Sequence, residues 1–121
     1  MERSANAYLL DALEAAQSIL RFTDGLDEDG YVSNELVRAA VERRFEIIGE
    51  ALNQLARLAP DAAEIIPQLA RIIAFRNLLI HGYASIDDRR VWRVREMNLP
   101  DLIASLERLA ADRGVETRGA S

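Results

Sequence analysis

A chain of 121 residues, half of them apolar and 29% charged, supports one folded domain with a core of ordinary size and argues against disorder. It has no cysteine, which excludes disulfide frameworks and thiolate metal sites, and no apolar run or basic-then-apolar N-terminus that would mark a membrane span or a secretory leader, so a cytoplasmic protein without membrane association is expected. The net charge of −5 argues against a nucleic-acid partner in general, but the region from Arg71 to Glu96 carries six arginines against three acids, a local +3 that leaves −8 for the rest.

Hydrophobic periodicity predicts a first helix from about Ala5 to Phe22, with Leu9, Leu13, Ala16 and Leu20 on one face. The polar run from Asp24 to Gly30 reads as a loop. Ser33 or Asn34 is placed to cap a second, long helix reaching about Ala59, with Glu35 in its first turn and Val37, Val41, Phe45, Ile48, Leu52 and Leu55 as its stripe. Asp61 and Glu64 have capping-box spacing for a short turn, and Pro67 suits the first position of a third helix. Ser85 or Asp87 starts a last helical region that contains Val91, Trp92 and Val94, breaks near Pro100 and resumes through Leu102, Ile103, Leu106 and Leu109. With no strand pattern and no repeat, the expected architecture is all-α, an antiparallel bundle of four to five helices spanning residues 1–113, followed by a short polar tail at 114–121.

The residues that carry chemistry lie in Arg76-Asn77-Leu78-Leu79-Ile80-His81-Gly82-Tyr83, which holds the only histidine. Leu69, Ile73, Ile80 and Tyr83 share a helical face, and Arg76 occupies the position that should continue that row. A guanidinium in an apolar row needs a partner, a cavity or an interface. Asn77 and His81 are four apart and lie together, and Gly82 lets the helix loosen after the histidine. From spacing alone the arginine reads more readily as half of a structural ion pair, and the histidine as a helix-end residue. Glu42, Glu46 and Glu50 line up at four-residue intervals, but a carboxylate metal bundle needs partner histidines that are absent. The row reads better as a solvated or ion-paired face with Arg38, Arg43 and Arg57, in which Glu50 can orient Arg76 if the two helices meet. Trp92 reads as core rather than as a base-stacking platform.

The string R-N-L-L-I-H-G-Y resembles the R-x-x-x-x-H-x-Y signature of the HepT-like proteins, bacterial toxins of the helical HEPN fold that belong to HepT/MntA toxin–antitoxin systems. The resemblance extends to Glu42 through Leu52, to Ile73-Ala74-Phe75, to Val91-Trp92 and to Leu99-Pro100-Asp101-Leu102, and covers roughly residues 5 to 110. It implies a two-fold homodimer acting as a ribonuclease toxin, with Arg76, Asn77 and His81 in the catalytic site. It also implies that Tyr83 is the acceptor of AMP from an MntA-like nucleotidyltransferase antitoxin. Chemically the set suffices without metal or cofactor. RNA supplies its own 2′-hydroxyl nucleophile, a histidine can move the proton, and a guanidinium can stabilise charge on the phosphoryl oxygens. Arg89, Arg90 and Arg93 are candidates for contacts to the RNA backbone. The other reading is a non-catalytic helical module that dimerises or binds RNA or a partner, which the overall acidity favours and the histidine does not.

Overall fold

The computed structural model describes residues 3–117, apart from the side chain of Tyr83. Seven α-helices and one 3-10 turn follow one another, with no strand among the described residues: α1 (Ala5–Phe22), α2 (Glu28–Val32), α3 (Glu35–Leu58), α4 (Pro60–Ala63), α5 (Leu69–His81), the 3-10 turn Tyr83–Ser85, α6 (Asp88–Met97) and α7 (Leu99–Asp112). The bundle is built on α1 and α3, the two longest helices, which pack most extensively together; α5 lies against α3, α7 against α1 and α6, and the short α2 against α3 and α6.

Local chemistry explains most boundaries. The Ser4 hydroxyl accepts from the Ala7 N–H and starts α1; Asn34 does the same for Val37 at the start of α3, and Asp87 for Arg89 and Arg90 at the start of α6. Leu9, Leu13 and Ala16 are buried as their spacing predicts, joined by Ala12 and Ile19, whereas Leu20 is only partly covered. On α3 the stripe from Val41 through Phe45, Ile48, Leu52 and Leu55 is buried, with Val37 at its margin. Phe45 meets Phe75 edge to face, at 5.2 Å between centroids, which locks α3 to α5. Trp92 belongs to the core and packs against Tyr31 at 5.6 Å between centroids, with the Arg95 guanidinium over its ring at 5.1 Å from the centroid.

Four expectations need correction. The acidic stretch read as a loop contains α2: Asp27 caps it by accepting from Gly30, and Arg89 reaches across from α6 to Glu28 and Asp29. The short turn after α3 is helical from Pro60, which takes the first-turn position, and no side-chain capping bond forms there. Pro67 lies ahead of the next helix, which starts only at Leu69 after Gln68. On α5 the deeply buried residues are Ile72, Phe75 and Leu79, so the row of Leu69, Ile73, Arg76 and Ile80 forms a flank of the core instead of its centre. The reason is that α5 is apolar almost all round, and periodicity alone could not choose its inner face. In the tail, Val115 turns back to bond the Ala110 carbonyl and packs partly on the core, while residues 118–121 lie outside the described part.

Candidate active site

Arg76 projects from the α5 flank toward α3. Its Nη2 donates to Glu50 Oε2 at 2.7 Å and its Nη1 to Asn77 Oδ1 at 2.9 Å. The guanidinium is thus fixed between a carboxylate from the facing helix and an amide from its own helix. The arginine side chain is 25% exposed and the glutamate 49%, and an ion pair this wet contributes about 1 kcal/mol or less to stability. Its consequence is orientation rather than cohesion. The Nε–H is buried without a partner among the described residues, and two Nη hydrogens remain uncommitted. Glu50 also accepts weakly from Gln54, which in turn accepts from Arg57.

The close approach that brings Arg76 to Glu50 depends on Gly49. A Cβ at that position would lie 2.2 Å from the Arg76 Cβ and 2.6 Å from its Cγ. Glycine within a long helix costs about 1 kcal/mol relative to alanine, so its presence in α3 has a packing explanation here: it is the floor on which the Arg76 stem rests. Gly82 plays a similar part at the other end. Its N–H donates to the Leu78 carbonyl at 2.8 Å, closing the helix, and any Cβ would meet that same oxygen at 2.8 Å.

His81 is the last residue of α5 and is exposed; so is Asn77, one turn earlier on the same outward face. No hydrogen bond joins these two side chains, because Asn77 gives its carbonyl to Arg76. That leaves the Asn77 NH2 group free to donate outward. Along the helix Arg76 and His81 are separated by about 7.5 Å of rise and more than a third of a turn, so within one chain they are neighbours without touching. Tyr83 opens the 3-10 turn directly after Gly82; its side chain is outside the described residues.

Beside this flank is a hollow of about 280 Å³ lined by Tyr8, Asp11, Arg43, Glu46, Glu50 and Arg76 among others. Its carboxylates outnumber its guanidiniums, and Arg43 sits 3.7 Å from Glu46, so a phosphate is better received on the outward side of Arg76, toward Asn77 and His81. The glutamate row of α3 has different neighbours: Glu50 pairs with Arg76, Glu46 with Arg43, and Glu42 feels the charge of Asp88 at the start of α6. Burial, reinforced by Asp88, pushes the Glu42 carboxyl up from its ordinary value.

The basic region resolves into two sets. Arg76, Arg89 and Arg95 are committed: Arg89 bonds Glu28 at 2.7 Å and Asp29 at 3.1 Å, and Arg95 bonds the Thr23 hydroxyl at 2.8 Å while lying over Trp92. Arg71, Arg90 and Arg93 are exposed and have no ion-pair partner among the described residues, and all three line one groove of about 430 Å³ between α5 and α6. Sequence reasoning named Arg90 and Arg93 but missed Arg71, Gln68 and Gly49. The mid-helix glycine was the one available signal for the last; nothing in the spacing linked α5 to α6.

This geometry sits within a chain that matches the ribonuclease HepT-like family over residues 12–109. A Thermococcus cleftensis protein named "Probable ribonuclease HepT" is 35% identical over 115 residues, covering 90% of this chain and 98% of that protein. A Methanocaldococcus jannaschii protein named "Putative RNase MJ1380" is 32% identical over 108 residues, covering 88% and 96%. The chain belongs to the ribonuclease HepT-like family. No solved structure matches it. Among the described residues no helix is long and apolar enough to cross a membrane.

Proposed function

We propose that this chain is a metal-independent endoribonuclease, the toxin of a toxin–antitoxin pair, working as a two-fold homodimer. The observation that carries the reading is the Arg76 guanidinium held by Glu50 and Asn77 with free donors beside the exposed His81, on the outer end of one helix. Family membership and the names of its relatives agree with RNA as substrate.

In the proposed reaction the ribose 2′-oxygen attacks the adjacent phosphorus and the 5′-oxygen departs, leaving a 2′,3′-cyclic phosphate. His81 takes the 2′-hydroxyl proton or gives one to the leaving oxygen, a contribution of about 100- to 10,000-fold. Arg76 and the Asn77 NH2 group hold the phosphoryl oxygens as charge accumulates on them. One histidine cannot serve as acid and base at once, and a second copy related by a two-fold axis would supply its counterpart. Support for that dimer comes from the uncovered side of α5, where Ala70, Ala74 and Leu78 are exposed and Ile73 and Ile80 only half covered. Tyr83, at the turn after His81, would be the acceptor of regulation. Its phenolic oxygen attacks the α-phosphorus of ATP in a partner nucleotidyltransferase, pyrophosphate leaves, and the bound AMP puts an anion where RNA must lie.

Cleavage of an oligoribonucleotide and of the same strand carrying one 2′-deoxynucleotide at the mapped cut tests the chemistry. The reading expects cutting of the first, a cyclic phosphate at its new end and no cutting of the second at that bond; cutting of both would sink 2′-hydroxyl attack. Intact-mass analysis with partner and ATP should show added AMP on the wild type and none on Tyr83→Phe. The reading of the chain as a non-catalytic helical module draws on one observation, the pairing of Arg76 with Glu50, which a purely structural role would also produce. An unmodified protein that cuts no RNA would favour it.

A further inference from the structure

We propose that the groove between α5 and α6 holds one unstacked nucleotide of the substrate RNA, its phosphates on Arg71, Arg90 and Arg93 and its base against the exposed Met97 with the Gln68 and Asn98 amides at its edge. The inference rests on the ribonuclease reading above and names where the strand runs beyond the cut.

Three observations converge on it. Every other arginine between 71 and 96 is committed to a carboxylate, a hydroxyl or an aromatic ring, and the three that are not so committed among the described residues share this one groove. Three exposed cations around one groove, with no ion-pair partner among the described residues, favour an anion there, and a phosphate suits them. Second, the Gln68 Oε1 is buried and has no hydrogen-bond partner among the described residues, although its residue lines the groove. Such an acceptor is costly to bury unless something donates to it, and the N–H groups of a base edge are donors of the right kind. Third, the remaining wall is apolar, formed by Ile72, Phe75, Val94 and Met97, and Met97 is 70% exposed. A flexible thioether at the rim gives a planar base a surface to cover without dictating which base it is.

The volume of about 430 Å³ is that of a small-ligand pocket, enough for a single nucleotide and not for a helical partner. Ala74 lines the groove on α5 and precedes His81 by seven residues, about 10 Å of helix rise, which a strand spans within a few nucleotides. An acidic peptide would use the arginines but would leave Gln68 and the apolar wall without a role.

The test uses the full chain and 2′-O-methyl oligoribonucleotides, which lack the nucleophile and stay uncut, with affinity read by fluorescence anisotropy across a salt series. Arg90→Ala combined with Arg93→Ala should weaken binding about 10- to 100-fold at low salt and reduce the slope of log affinity against log salt by about two, whereas Arg108→Ala on α7 should change neither. With a single abasic position moved along the strand on either side of the mapped cut, one placement within a few nucleotides of it should cost the wild type about 10-fold and cost Met97→Ala little. A double arginine variant that binds with unchanged affinity and slope, beside a wild type that binds and cuts RNA, would overturn the groove assignment while leaving the ribonuclease reading intact. Saturable binding of free AMP that is lost in the double variant, with RNA affinity unchanged, would overturn RNA as the occupant. A wild type that neither binds nor cuts RNA would remove the reading on which the proposal stands.

Discussion

The two flanks of α5 carry arginines under opposite conditions. On the side facing α3, Arg76 is matched: a carboxylate at 2.7 Å, an amide at 2.9 Å, and a glycine beneath its stem. On the side facing α6, Arg71, with Arg90 and Arg93 of α6 itself, has no ion-pair partner among the described residues, and the groove they surround has in its wall an amide oxygen without a partner among those residues. A matched cation is aimed and held, which suits a group that must meet a transition state in one orientation. Unmatched exposed cations gather phosphate with little directional demand, which suits affinity. The same residue type therefore serves position on one flank and attraction on the other, and the partners it has already taken tell the two apart.

The largest effect should come from breaking the matched flank. Arg76→Ala is expected to lower kcat/KM for RNA by about 100- to 1,000-fold, the range for losing one charge-stabilising donor, with the proposed dimer retained by size-exclusion chromatography with light scattering. An active variant would return Arg76 to a structural role. Gly49→Ala should follow. Alanine is the better helix former by about 1 kcal/mol, yet its Cβ cannot coexist with the Arg76 stem, so unfolding in urea should reveal a net loss of about 1–3 kcal/mol together with reduced cleavage. A more stable and fully active variant would show that α5 can shift at no cost. A smaller effect is expected at Arg89, which is next to the groove arginines in sequence but matched by Glu28 and Asp29. Arg89→Ala should lower the Tm slightly and leave the salt slope of RNA binding alone; a slope reduced by one would place Arg89 with the binding set.

The smallest effect concerns an acid without its match. Glu42 has no ion-pair partner among the described residues, and burial and Asp88 raise its pKa. A folded-state pKa above the unfolded value means that the carboxyl favours the fold while protonated, at pH below its ordinary value of 4.5, and that this advantage is lost as pH rises through the raised folded value. Glu42→Gln should therefore stabilise the protein modestly at pH 7 and by less at pH 4. Equal effects at both pH values would remove the electrostatic explanation.

What the sequence made legible was local. The ends of α1, the Asn34 cap of α3 and the stripe from Val41 to Leu55 depend on neighbours within a turn or two, and these were readable without a structure. What escaped was set by distant contacts. The helix α2 is formed in an acidic stretch that is tied down by Arg89, about sixty residues further on. The inner face of α5 could not be told from its outer one because both are apolar. At the site, the motif residues were visible as a string and Glu50 as a conditional partner of Arg76, but that the two helices meet there, on Gly49, rests on a contact between residues 26 apart. The groove needed α5 and α6 side by side, so only Arg90 and Arg93, which share a helix, could be anticipated.

The central claim is that Arg76 and His81 cut RNA without help from a metal, and the most direct measurement is cleavage by the purified, unmodified protein in excess EDTA, with His81→Ala beside it and the new ends mapped. The account predicts cutting by the wild type that survives chelation, cyclic phosphate at the new ends, and loss of that cutting in the variant. Equal cutting by the variant, or none by a wild type whose mass excludes AMP on Tyr83, would contradict it.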